Sequence, residues 1–543
     1  MGASFAGASG RNATLREASF GAAASARVGG LVVVLVAFGA LTAFLAASLN
    51  IWQDEWYSLR TTSHGFAFAW RSALGFEALP PLYPLLLEAW RTLDGSVWFA
   101  RWFSILCVAG AVVCAWSFAA RHLRATSPAV VAAALAFNPF AIYAAVEIRL
   151  YALALLFSAG LILTYFDGFI AAAPSRFARV AFVFCALGVL YTQYYPALLL
   201  AGAAAALLLL HDRRALRNYG IAVACVVVGA LPVLAFLPAQ MGGARTLAMS
   251  TRPDIVSPVE TALSFALPHG WLSNWWGYPT NGVYDAALLA TVGVAIATRP
   301  RLTRANLTLG AIAVTLVACF ALVPLVLHEK MIFPRHGVAL LIPSVLAVFA
   351  VLDAAPQPRL RHIALATYVS LYAILTALTL WSTYHALAKS GDFRRAAAYL
   401  DAHASAEQTI FVFDPEMVGP LRFYYHGPAR IVALPQAMNF TRFNPPSFTF
   451  TSAAQAAVKL GAVAPGRTIF LYRGDVCNQR GDAFGCRFLD AEVTRDYRVL
   501  TARPLYSASI QELLRRGDAT RSRARHRKLL VERLLPRDRS HAR

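Results

Sequence analysis

Residues 31–57 read LVVVLVAFGALTAFLAASLNIWQDEWY. An apolar run ending near Leu49 opens into Asp54-Glu55-Trp56-Tyr57. The run is about as long as a bilayer span and exceeds the core of a signal peptide. It reads as an uncleaved first membrane helix. Two adjacent acids at the mouth of a span are costly unless they face water or do work. The pair opens a polar, aromatic-rich loop and argues for an enzyme at the membrane surface over a pore or a soluble protein.

The apolar pattern recurs along the 543 residues. The chain is 58% hydrophobic and 14% charged, with a mean hydropathy of +0.54. Soluble domains carry about a quarter charged residues. Apolar segments lie near 30–49, 97–120, 129–146, 151–171, 178–191, 195–210, 220–239, 284–298, 307–327, 337–355 and 362–386. The expected fold class is a polytopic α-helical membrane protein of about 11 spans, followed by a small C-terminal α/β extracytoplasmic domain.

Charge orients the loops. Arg121/Arg124, Arg176/Arg179, Arg213/Arg214/Arg217, Arg299/Arg301/Arg304 and Arg359/Arg361 sit in short alternate loops, which reads as cytoplasmic. The N-terminal segment, with Arg11, Arg16 and Arg27, joins that side. The opposite loops carry Asp54-Glu55, Glu77, Glu147-Ile148-Arg149, Thr192-Gln193 and His328-Glu329-Lys330, so the unusual polar residues are expected outside. The net charge of +21 and pI near 10.1 are accounted for by these loops and the tail from Arg515 to Arg543, without a nucleic-acid partner. The tail suits anionic lipid headgroups or acidic glycans, and equally a solvated basic end.

Past Tyr384 the composition shifts. An amphipathic helix is expected from Asp392, strands at Thr409–Phe413, Arg430–Leu434 and Thr468–Tyr472, and helices ending at Tyr425 and over Ser452–Leu460. The expected domains are 1–29, a cytoplasmic segment; 30–386, the membrane domain; 387–510, the α/β domain; and 511–543, the basic tail. Cys107, Cys114, Cys185, Cys225 and Cys319 lie in apolar runs as small hydrophobes. Cys477 and Cys486 lie in the polar C-terminal region, where an extracytoplasmic setting lets them form a disulfide. No Cys/His spacing suggests zinc, and no Gly-rich loop after a strand suggests a nucleotide.

Several clusters are candidates for chemistry. Asp54 and Glu55 point about 100° apart on a helix, so one can act as general base or metal ligand while the other orients the loop. An acid pair capping a surface helix is the plainer reading. Glu77 precedes Pro80-Pro81-Leu82-Tyr83, a rigid turn at a span entrance. Glu147, Arg149 and Tyr151 form another cluster; on a helix Glu147 and Tyr151 would share a face, and an ionised Glu and Arg at membrane depth should be paired or face a cavity. Tyr191, Gln193, Tyr194 and Tyr195 are a binding cluster or an interfacial belt. Lys330 and Arg335 suit a lipid-linked phosphate or snorkel to headgroups. Trp271, Trp275, Trp276 and Tyr278 stack on sugars or anchor a loop in the interface.

In this order the clusters resemble the integral-membrane glycosyltransferases of the C-type fold, in particular bacterial relatives of protein O-mannosyltransferases and of the lipid A aminoarabinose transferase. The resemblance rests on Asp54-Glu55-Trp56-Tyr57, Pro80-Pro81-Leu82-Tyr83-Pro84, Glu147-Ile148-Arg149-Leu150-Tyr151, Leu190-Tyr191-Thr192-Gln193-Tyr194-Tyr195, Phe333-Pro334-Arg335-His336 and Asp392-Phe393-Arg394-Arg395. It covers about residues 30–430. It implies transfer of a sugar from a polyprenyl-phosphate-linked donor to an envelope glycan, glycolipid or protein, with inversion, at the outer face of a bacterial cytoplasmic membrane. It implies Asp54 as the base or metal-linked acid, with Glu55 and Glu77 supporting the acceptor or a divalent metal ion. Arg149, Lys330 and Arg335 would hold the leaving phosphate, and Tyr83, Glu147, Tyr151, Tyr191, Gln193, Tyr194 and His336 would line the substrate. The rival readings are a lipid-linked glycan polymerase or ligase, a transporter or flippase, and a non-catalytic scaffold.

Overall fold

The computed structural model describes residues 6–238, 256–268, 281–327, 335–442, 444, 449–477 and 481–516. The expectations for Lys330, for Trp271, Trp275, Trp276 and Tyr278, and for the tail beyond Arg516 fall outside these residues. The chain forms two compact units. One comprises the residues up to Ser48 and those from Ser58 to His385. The other joins Leu49–Tyr57 to the chain from Ala386 onward.

The first unit is helical, and the expected apolar segments are helical over most of their described residues. Among the described residues, six helices are long and apolar enough to cross a membrane: Arg27–Ser48, Val97–His122, Tyr151–Ile170, Arg213–Leu234, Arg304–Leu322 and Pro358–Tyr384. Tyr195–Leu209 and Val338–Asp353 are shorter. The first helix reaches back to Ala6, into the segment expected to precede it.

The expected span at 129–146 is broken into Pro128–Ala136 and Pro139–Ala145, bent by 62°; the pair makes a seventh span if it counts as one. Pro139 has no N–H to give the first helix, and it disfavours helical backbone at Asn138. Asn138 repairs the break. Its side-chain oxygen accepts from Phe140 N at 3.0 Å, and its Nδ2 donates to Tyr372 Oη at 2.8 Å and Phe265 O at 3.1 Å.

Small residues let the helices approach, as packing without a hydrophobic driving force requires. A Cβ on Gly188 would come within 2.5 Å of the Phe157 ring. The loops are tied by charge. The Asp353 carboxylate accepts from the backbone N–H groups of Arg124, Ala125 and Thr126 at 2.9, 2.7 and 2.6 Å, and Arg121 pairs with Asp167. Arg121 thus has a local partner besides any part in topology.

The second unit contains a five-stranded sheet in the order β2-β1-β3-β5-β4. Its strands are β1 (Thr409–Phe413), β2 (Arg430–Ala433), β3 (Thr468–Gly474), β4 (Tyr497–Leu505) and β5 (Ala508–Arg515). β1 is parallel to both β2 and β3, while β5 is antiparallel to β3 and β4. Side chains alternate between faces. Ile410, Val412, Phe470 and Tyr472 pack with helices Phe393–His403 and Val418–Tyr424. Phe411, Phe413, Ile469 and Leu471 pack with helices Ala453–Gly461 and Cys486–Asp496. The expected α/β sheet is present, but β4 and β5 were not anticipated. The boundary expected at 510/511 falls inside β5, whose Leu513 is buried in the core. Cys477 and Cys486 are joined in a disulfide.

Gly391 has φ +91°, and an added Cβ would meet the Phe393 ring at 2.5 Å. Gly466 has φ +79° but faces open space. Gly391→Ala should therefore destabilise the protein by about 2–3 kcal/mol, and Gly466→Ala by less. Thermal midpoints of the purified variants in detergent check this order.

Candidate functional site

The helix Gln53–Thr61 starts in the second unit, and its residues from Ser58 onward belong to the first. Asp54 and Glu55 occupy its first turn and Arg60 its last, the polarity that the helix dipole favours. The two acids diverge as neighbours on a helix must. Asp54 is half-buried, whereas Glu55 is fully buried and pairs with Lys389 Nζ at 2.9 Å. Of the two roles expected for the pair, a buried ion pair suits Glu55 to the one that orients the segment.

The chain before Asp54 is held just as firmly. Asn50 Oδ1 accepts from the Lys389 N–H at 2.8 Å, while Asn50 Nδ2 donates to Ile51 O at 2.7 Å. Tyr424 Oη accepts from Ile51 N at 2.9 Å, and Arg394 reaches Leu49 O at 3.4 Å. After Asp54, Tyr57 Oη donates to Glu416 Oε1 at 2.8 Å. Burial, then the Glu416 charge, pushes the Tyr57 hydroxyl well above its ordinary range, so it stays a donor.

Lys389 and Glu416 were not among the sequence candidates. A signal existed for Lys389. The chain has only four lysines, at 330, 389, 459 and 528, and this one follows the last apolar helix on the side expected to be poor in cations.

In the first unit, Glu77 is the hub. Its Oε2 pairs with Arg149 Nη1 at 2.6 Å, and its Oε1 accepts from Thr61 Oγ1 at 2.5 Å. Arg149 also donates to Ser58 Oγ at 3.1 Å. Arg91 donates to Leu59 O at 2.9 Å and to Thr62 O at 2.6 Å. Tyr83 is buried, with Arg149 and Glu77 in its electrostatic surroundings. The sequence put Glu77 with Tyr83 and Arg149 with Glu147 and Tyr151; the structure instead pairs Arg149 with Glu77, and the partners Ser58 and Thr61 were not among the candidates. Both oxygens of Glu77 thus accept from a neighbour.

The other candidates divide. The helix before Glu147 ends at Ala145 and the next starts at Tyr151, so the helical i, i+4 pairing of Glu147 with Tyr151 does not occur. Glu147 is buried in the intervening turn, its carbonyl accepting from Ser104 Oγ at 2.6 Å. Arg101, one turn before Ser104 on the same helix, is fully buried and donates to Ala46 O at 2.7 Å. Tyr151 is buried and stacks on Tyr143 at 6.0 Å. Tyr191 and Tyr194 donate to Gly229 O and Val233 O at 2.9 and 3.4 Å, which ties two helices together. Gln193 is buried where its helix ends. His336 stacks on Tyr195 at 4.7 Å, and burial, then Arg335, pushes its imidazole down to about 3, so it is neutral. Among the described residues no group of three or more His, Cys, Asp or Glu is placed to hold a metal ion.

No protein-family model and no curated protein matches the chain. Among solved structures it is similar to ArnT from Cupriavidus metallidurans in the apo state, with TM-score 0.54 and 15% identity over 89% of this chain and 98% of that one. It is also similar to the same protein bound to undecaprenyl phosphate, with TM-score 0.50 and the same identity and coverage. The likeness shows the fold, and it is the C-type fold that the ordered clusters led one to expect.

The Glu77–Arg149 pair makes a stability prediction. Breaking a buried pair leaves a lone charge and costs about 3–5 kcal/mol, whereas replacing both partners is often near neutral. Arg149→Ala should lower the thermal midpoint strongly, and Glu77→Gln with Arg149→Met should restore most of it. Equal losses in the single and double variants would refute the pair as the reason.

Proposed function

We propose that this protein transfers a sugar from a polyprenyl-phosphate-linked donor to an envelope acceptor at the outer face of a bacterial cytoplasmic membrane. The observation that carries the reading is the shared fold with a protein solved with undecaprenyl phosphate bound. The apolar helices support it, since a lipid carrier reaches such a protein through the bilayer. So does Asp54, an acid left half-buried in the first turn of a helix while its neighbour Glu55 is sequestered.

The chemistry is a single displacement. The acceptor oxygen or nitrogen attacks the anomeric carbon as the bond to the phosphate oxygen breaks, which inverts the centre. The carbon passes through an oxocarbenium-like state. Asp54 takes the acceptor proton as general base. The departing lipid phosphate keeps the bonding electron pair, and its charge is stabilised by cations drawn from Arg149, Lys330 and Arg335. Arg149 is already oriented by Glu77. His336, being neutral, adds no charge.

The test uses a strain lacking the protein, complemented with wild type or with Asp54→Asn at matched membrane abundance. Mass spectrometry of envelope glycans and glycolipids should show a one-sugar mass restored by wild type. Asp54→Asn should restore about 100-fold less or below, the scale of a lost general base. Equal restoration would remove Asp54 as the base. A repeating multi-sugar increment would favour the polymerase or ligase, and unchanged envelope glycans would favour transport.

A further inference from the structure

The segment that carries Asp54 has no disulfide or sheet hydrogen bonding of its own among the described residues. It is held by Lys389 and Arg394 on one side and by Glu416 and Tyr424, which follow β1, on the other. Lys389 makes two of these contacts. Its backbone N–H binds Asn50, four residues before Asp54, and its ammonium binds Glu55, the residue after it. Lys389 therefore grips the chain on both sides of Asp54 without being a neighbour in sequence.

Lys389 is itself fixed. Its carbonyl accepts from Asp392 N at 3.1 Å. Gly391, at φ +91°, turns its carbonyl to Tyr472 Oη on β3 at 2.5 Å. Arg395 closes the turn by donating to Asp392 Oδ2 at 3.1 Å and Ala386 O at 2.8 Å. A rigid sheet strand thus sets a tight turn, the turn sets Lys389, and Lys389 sets the first turn of the helix. A general base must lie within hydrogen-bond reach of the proton it takes, and a reacting group displaced by about 1 Å can lose on the order of 100-fold in rate.

We propose that Lys389 is a positioning residue for sugar transfer, holding Asp54 at its working place through Glu55 and Asn50. The inference rests on the function proposed above. It does not make Lys389 a group that touches substrate. It predicts that loss of the ammonium lowers turnover while leaving the lipid carrier's binding intact.

The experiment compares wild type, Asp54→Asn, Lys389→Arg, Lys389→Met and the double variant Glu55→Gln/Lys389→Met, all full-length and at matched membrane abundance. Two readouts are taken. One is the sugar restored to the envelope of the deletion strain, by mass spectrometry. The other is the thermal shift that undecaprenyl phosphate gives the purified protein in detergent. Lys389→Met should lose on the order of 100-fold in transfer with the undecaprenyl phosphate shift retained. Lys389→Arg, which keeps a cation, should recover to within about tenfold of wild type. The double variant leaves no lone buried charge, so it folds even where Lys389→Met does not, and it should show the same loss as Lys389→Met.

Wild-type transfer by the double variant would overturn the inference. So would a parallel loss of transfer and of the undecaprenyl phosphate shift in that variant, which marks a general structural role. Failure of the functional reading looks different: wild type itself then restores no sugar, and the inference falls with it. If wild type transfers and Asp54→Asn transfers equally, Asp54 is not the base and Lys389 has nothing to position.

Discussion

An ionised side chain removed from water needs an opposite charge beside it, because the uncompensated group loses several kcal/mol of hydration. Glu55 and Lys389 answer that requirement for each other at 2.9 Å, with Glu55 wholly shielded. The rest of the candidate site follows from the pair. Adjacent residues on a helix diverge by about 100°. Once Glu55 turns inward to meet its lysine, Asp54 must point elsewhere, and it stays half-buried. One acid becomes a structural anchor, and the other is the one the proposed chemistry uses.

The same requirement sorts the helical unit. Glu77 spends one oxygen on Arg149 and the other on Thr61, so its charge organises neighbours and has little capacity for a further ligand. Tyr191 and Tyr194 spend their hydroxyls on helix carbonyls. Asp353 spends its carboxylate on three successive backbone N–H groups of one loop. A polar residue in such a protein can be conspicuous in sequence and still be fully employed in holding the fold. The proposed chemistry therefore leans on Asp54 and on the cations.

The helical segments were legible because apolar runs of span length have few alternatives. The break at Asn138-Pro139 was not foreseen, although Pro139 marks it, because the surrounding residues are as apolar as any continuous span. β1, β2 and β3 were legible as short runs rich in Ile, Val and Phe. β4 and β5 were not. β4, YRVLTARPL, is an edge strand with its middle exposed, and β5, ASIQELLR, has the residues of a helix and becomes a strand by pairing with β3. Tertiary pairing overrides local preference in such cases. At the site, Asp54, Glu77 and Arg149 stood out by charge. Ser58 and Thr61, the partners of Arg149 and Glu77, did not, because a hydroxyl carries no local pattern, and Lys389, the partner of Glu55, lies more than 300 residues from it.

The α/β fold offers a reason for where the anchored segment sits. In open sheets of this kind, ligands settle outside the carboxyl ends of parallel strands, where successive connections leave to opposite faces. Here β1 leads to the helix Val418–Tyr424 on one face, and β3 leads to Cys486–Asp496 on the other. The carboxyl end of β1 runs into Asp414, Pro415 and Glu416. What occupies that position is the chain's own Tyr57, bonded to Glu416, with Trp56 so close over Gly419 that a Cβ there would lie 2.3 Å from the ring. Tyr424, on the helix that follows, holds Ile51. The stretch bearing Asp54 thus packs against the carboxyl end of β1. The sheet gives the segment that carries the acid a rigid support.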